Sequence, residues 1–143
     1  MKSISLLLLA VMLSLVSPRA IPAEGKTDIR LLVGGEIFPA VLEDSPAGRD
    51  FLLMLPLTLR MRDYNSTEKI AALPRGLSTR GAPDGFAPVA GDLAFYAPWG
   101  NLALFYRNFH HSGGLIRLGH LLSGVERLAA MPDDTTVTIE RTR

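Results

Sequence analysis

The chain has 143 residues, 15 Lys and Arg against 14 Asp and Glu, no cysteine, and 48% hydrophobic residues. With charges this evenly matched, no basic stripe is left to track a phosphate backbone, which argues against a nucleic-acid partner. The lack of cysteine excludes disulfides, thiolate metal sites and a cysteine nucleophile.

The first 23 residues read as an address. Lys2 gives a positive start, residues 4–16 are an apolar run, and residues 17–23 are small and turn-rich. The run is short for a membrane span and no second one follows, so a secretory signal peptide is expected, with cleavage after Ala20 or Ala23. An uncleaved anchor is the alternative. Without Lys2 and Arg19, 13 basic groups face 14 acidic ones, a net charge of −1 for residues 24–143. That length suits one domain with one core. An exported domain without disulfides relies on packing, which fits a periplasm, and with no cysteine for lipid attachment no stable membrane anchor is expected.

Residues 26–42 read as a hairpin. With Gly34-Gly35 as its loop, Leu31 faces Phe38 and Ile29 faces Ala40, so apolar residues share one side. Pro39 cannot donate to a ladder and predicts an edge or a bulge. Ser45-Pro46 starts a short helix with an apolar face of Ala47, Phe51, Met54 and Leu55, ended by Pro56. Residues 57–62 alternate, with Leu59 and Met61 inward, and a turn at 63–67 leads to a strand at 68–73. Residues 74–90, rich in glycine and proline, form a long loop, of the kind that often carries function.

Residues 91–107 hold the only tryptophan and two of the three tyrosines around an Ala97-Pro98-Trp99-Gly100 corner. Both flanks alternate with period two, so two strands meet at an aromatic turn. Residues 108–114 are a loop, and residues 115–122 a strand with Ile116, Leu118, His120 and Leu122 on one side. Ser123-Gly124-Val125-Glu126 reads as a capping box opening a second helix, with Val125, Leu128 and Ala129 buried. Pro132-Asp133-Asp134 turns into a last strand at 135–140. About eight short strands and two helices predict a mainly β fold, a closed barrel with the helices plugging its two ends.

This order of parts, with Leu55-Pro56-Leu57-Thr58-Leu59, Thr67-Glu68-Lys69-Ile70, the segment Gly91-Asp92-Leu93 to Ala97-Pro98-Trp99-Gly100-Asn101, and Gly114-Leu115-Ile116-Arg117-Leu118-Gly119, resembles the cyclophilin-like family of small bacterial and archaeal proteins. The resemblance covers residues 29–140 and implies an eight-stranded barrel capped by two helices. Cyclophilins themselves turn prolyl bonds with a strand arginine, a phenylalanine pocket and a histidine. The amide barrier is about 18–20 kcal/mol, so an aimed donor is required. In the resemblance Ala71 falls where that arginine belongs, Leu104 near the phenylalanine and Leu115 near the histidine. Arg75 lies close by, in the loop.

The expected function is therefore a binding module for a peptide or small ligand, with a shallow groove made by Arg75, Tyr96, Trp99, Asn101 and His110. No cofactor is expected. The alternatives are a prolyl isomerase in which Arg75 replaces the strand arginine, and a structural or assembly role with the aromatic tip against a partner protein. Each residue also has a plainer reading. The rings can complete the core, Arg75 can be a solvated loop residue, and Asn101 can bond its own turn. Tyr64 can stack on a ligand or pack over a barrel end. Glu68 and Lys69 point to opposite faces of their strand; either can line the groove, though a barrel-edge salt bridge is favoured. Adjacent His110-His111 lacks the other ligands of a metal site.

Overall fold

The computed structural model describes residues 25–143, so the expected signal peptide, residues 1–23, lies outside the described residues. The elements are β1 (Lys26–Val33), β2 (Glu36–Glu43), α1 (Pro46–Leu53), β3 (Leu57–Tyr64), β4 (Glu68–Ala72), β5 (Gly85–Phe86), β6 (Asp92–Tyr96), β7 (Asn101–Phe105), β8 (Ser112–Gly113), β9 (Leu115–Leu121), α2 (Val125–Ala129) and β10 (Thr135–Arg141). Eight strands close into a barrel in the order β1-β10-β3-β4-β7-β6-β9-β2. Every pairing in it is antiparallel. This is the mainly β barrel that the strand count predicted. Among the described residues, no helix is long and apolar enough to cross a membrane.

The β1–β2 hairpin shows how sequence sets register. Gly34 and Gly35 have φ of 55° and 83°, the left-handed pair that a two-residue turn matched to strand twist requires. Leu31 then lies opposite Phe38 and Ile29 opposite Ala40, and all four are buried. In such a hairpin the pairs alternate between hydrogen-bonded and open, starting with a bonded Val33–Glu36. The Arg30–Pro39 pair is therefore open, and the proline nitrogen turns away from β1. On its other side, β2 pairs with β9 only from Ala40 onward, while the Pro39 carbonyl accepts from Leu122 N–H. Pro39 thus ends a ladder within a closed barrel and does not mark an edge strand.

The two helices close opposite ends of the barrel. The α1 helix follows the C-terminal end of β2 and α2 that of β9, and these strands are antiparallel neighbours. Fully buried Phe51 and Leu128 enter the same core as Leu31 and Val137. Ser45 caps α1 as expected, its hydroxyl oxygen accepting the Gly48 N–H at 3.0 Å. The predicted capping box at α2 does not form. Gly124 is the N-cap, with φ of 90° and no side-chain bond, because the chain turns tightly over the Phe38 ring.

Phase is also lost in β9. Leu93 pairs with Gly119 but Ala94 pairs with Arg117, which leaves Leu118 in a bulge. Ile116, Leu118 and Leu121 face the core, Leu122 is exposed, and His120 turns outward to Asp92 at 3.0 Å. The single apolar row expected through His120 and Leu122 is thereby broken. Buried Asp92 also takes the Val89 N–H at 2.9 Å and Arg117 at 3.3 Å, which ties the long loop to β9.

The barrel has a second, smaller apolar cluster outside it. Leu93, Phe95, Leu102 and Leu104 point inward, so the alternate residues Ala94, Ala103 and Phe105 point outward, joining Ile70 and Leu115. Phe86, Tyr96 and Phe109 pack over this cluster. Its cover comes from the loop segments, which are anchored by the short β5–β8 sheet and by Phe109 N–H on the Pro88 carbonyl at 2.9 Å.

Candidate functional site on the outer face of the barrel

Beta strands β6 and β7 meet at a four-residue turn, with Tyr96 opposite Asn101. Two bonds fix the turn from outside the hairpin: Ala97 N–H to the Gly114 carbonyl and Leu73 N–H to the Gly100 carbonyl, both at 3.0 Å. The tip is therefore held between the end of β4 and the start of β9. Trp99 projects from it and is 53% exposed. Its ring meets Tyr96 at 5.2 Å between centroids and 77° between planes, and Tyr64 at 5.4 Å and 90°. Edge-to-face pairs of this kind are favourable and hold rings at fixed angles.

These rings border a cavity of about 240 Å³ on the outer face of the barrel. Its floor is the outer apolar cluster of Ile70, Ala103, Phe105 and Leu115, and Phe109 closes one side. Asn65, Asn101 and Ser112 contribute polar groups. One charged side chain enters, that of Glu68, opposite Tyr64 on β3 and Phe105 on β7. Burial, and secondarily the charge of Asp63, push the Glu68 carboxyl up to about 7. Neither hydrogen bond nor ion pair contributes to that shift.

Lys69 points the other way, into the barrel end. It donates to the Met131 carbonyl at 2.8 Å and pairs with Asp63 at 3.3 Å. Tyr106 also donates to Asp63, at 2.5 Å. That hydroxyl, with Lys69, holds Asp63 below its ordinary value, while burial and the Asp63 bond push Tyr106 up to about 12. One β-strand thus sends a paired cation inward and an unpaired carboxyl outward.

A second cavity, of about 380 Å³, lies between α1, residues 78–83 and the start of β9. Of its polar groups, Glu43 pairs with Arg117 at 3.4 Å and the Ser45 hydroxyl is the α1 cap, while Arg80 on the lining makes no ion pair among the described residues. The aromatic cavity is smaller but presents rings and a carboxyl without partners, so it is the stronger candidate.

The sequence profile described as the cyclophilin-like family matches residues 31–140. The chain belongs to the cyclophilin-like family. The solution structure of a hypothetical protein from Archaeoglobus fulgidus superposes with a TM-score of 0.60 over 85% of this chain and 100% of the other, at 16% identity. At that identity the likeness shows the fold alone. No curated protein matches the chain.

Within this cyclophilin-like barrel, the residues singled out from sequence divide. Tyr96, Trp99 and Asn101 come together on the cavity lining. Arg75 is not on it; its guanidinium donates to the carbonyls of Gly76 and Asp50 at 3.3 and 3.4 Å, beside α1. His110 is exposed and is also outside the lining, with its ring 3.9 Å from that of Phe109. Of the positions matched to cyclophilins, Ala71 and Leu104 face the core, and their strand neighbours Ile70 and Phe105 face the cavity. The groove expected from sequence lacks Ile70, Phe105 and Phe109, and the barrel-edge salt bridge favoured there for Glu68 or Lys69 is made by Lys69 with Asp63, while Glu68 and Tyr64 line the cavity. The alternation of residues 68–71 did carry the signal that Glu68 and Ile70 share a face. Among the described residues, no group of three or more His, Cys, Asp or Glu is placed to hold a metal ion.

Proposed function

We propose that this cyclophilin-like domain is a binding module, exported to the periplasm, that holds a peptide or small ligand in the aromatic cavity on the barrel's outer face. The observation that carries the reading is the exposed Trp99 ring set at steep angles to Tyr64 and Tyr96 over an apolar floor. Large rings fixed by a braced turn give contact area at little entropic cost, and Asn101 adds a polar group to orient the guest. A prolyl isomerase would need a guanidinium aimed at the twisted amide, and no arginine lines this cavity.

Trp99 is the only tryptophan, so its fluorescence reports directly on the site. A panel of capped peptides and small organic ligands should contain members that change this emission saturably. Phe105→Ala, which keeps the reporter, should weaken those members by about tenfold or more. Saturable binding that is indifferent to Phe105→Ala and is also retained, by calorimetry, in Trp99→Ala would remove the cavity from consideration.

A further inference from the structure

The aromatic cavity has a charge character that narrows its guest, and the inference here rests on the binding role proposed above. Glu68 is the one carboxylic acid on its lining, and no arginine, lysine or histidine joins it. The wall rings are those of Tyr64, Tyr96 and Trp99, and the Trp99 plane stands at 90° and 77° to the two tyrosines. Rings in differing orientations around a small volume offer a compact cation several π faces, which attract it electrostatically, and a neighbouring carboxylate adds to that attraction. The volume of about 240 Å³ suits a small head group more than a drug-sized molecule.

We propose that the cavity binds an organic ammonium group, a quaternary or protonated amine, between the Tyr64, Tyr96 and Trp99 rings with Glu68 as its counter-ion. An anionic guest would meet a half-buried carboxylate and no cation on the lining, so charge complementarity selects against it. A neutral guest would satisfy the rings and could donate a hydrogen bond to the carboxylate, but would leave its charge uncompensated.

The carboxyl's elevated titration agrees with this assignment, because a group pushed up to about 7 by burial is one that a bound cation would stabilise in its charged form. The other charged groups near it are engaged elsewhere or turned away from it, and His110, packed on the lining residue Phe109, lies off the lining itself. Asp63 and Lys69 are paired on the inner face, and Tyr106 donates to Asp63. Arg62 lies on the outer face of β3 opposite Ile70, off the cavity lining, and Arg107 follows Tyr106 beyond β7. Tyr64 and Tyr96 line the cavity as rings.

The test compares choline with its neutral isostere, 3,3-dimethylbutan-1-ol, by Trp99 fluorescence and by calorimetry on residues 24–143. Choline should bind about tenfold or more tightly than the alcohol at pH 8.5. The preference should shrink severalfold at pH 5.5, where Glu68 is protonated, and in Glu68→Gln at both pH values. Trp99→Leu, checked for folding by circular dichroism, should lose the preference by calorimetry. Equal binding of the two probes, or a choline preference unchanged in Glu68→Gln, would overturn the cation assignment. If choline fails but a neutral peptide from the panel binds at Phe105, the binding role stands and only the ammonium inference falls. If neither binds, both fall.

Discussion

At the scale of single residues, Glu68 sits where its charged form is disfavoured. Its carboxyl is raised from 4.5 to about 7 by burial and by Asp63, so the folded state prefers the protonated form. A raised acid contributes stability that is present below pH 4.5 and lost as pH rises through about 7. Partial exposure reduces the full linkage value to on the order of 1–2 kcal/mol. Glu68→Gln should therefore stabilise the domain by about that amount at pH 8 and leave it within ~0.5 kcal/mol at pH 4, read from urea midpoints. An equal effect at both values would mean the carboxyl is not destabilised by its site. Asp63 has the opposite sign. Its depressed value gives stability present above about 3.8 and lost as pH falls below it. Tyr106→Phe should remove part of that acid-side loss, so its unfolding curve should be flatter than wild type below pH 4. Both roles arise from strands that meet in space. The alternation of residues 68–71 showed which faces Glu68 and Lys69 take, but not that Tyr64, Phe105 and Asp63 would surround them.

At the scale of elements, local sequence signals hold where the chain's own geometry enforces them. The Gly34-Gly35 turn fixes the β1–β2 register, and Ser45-Pro46 fixes the start of α1, because both act within a few residues. Signals failed where a distant side chain intervened. Ser123 has the right chemistry for a cap, but Gly124 takes the position, with φ of 90° and no room for a Cβ, which would lie 2.6 Å from the Phe38 ring. The bulge at Leu118 is likewise set by how β9 meets β6, and it turns His120 out of the row where the spacing put it. Gly124→Ala should cost about 2–3 kcal/mol in thermal or urea unfolding, from a left-handed backbone plus the ring clash. Gly34→Asn should cost under ~0.5 kcal/mol, since asparagine tolerates that conformation and nothing lies within 4 Å. Similar costs at the two sites would show that packing on Phe38 is not what selects glycine.

At the scale of the whole molecule, the barrel separates what stabilises it from what it presents. Phe51 and Leu128 seal the ends and belong to the inner core, whereas Trp99 stands on the outer face with over half its surface free. Phe51→Ala should cost about 3–5 kcal/mol, and Trp99→Ala under ~1 kcal/mol while removing ligand binding. The closed architecture was legible because eight alternating strands and two helices leave few other ways to cover their apolar faces. The cavity was legible only at its Trp99 tip. Arg75 and His110 lie near it in sequence, but Arg75 is carried to α1 and His110 stays exposed beside Phe109, off the lining.

The most direct measurement is an NMR titration of the uniformly ¹⁵N-labelled domain with choline, following backbone amides and the single indole N–H. Shifts concentrated on Tyr64, Glu68, Trp99, Asn101 and Phe109, with the indole among the largest, are the predicted result. Shifts confined to the larger cavity around Ser45, Arg80 and Arg117, or no saturable shift in the aromatic cavity with any ligand of the panel, would contradict it.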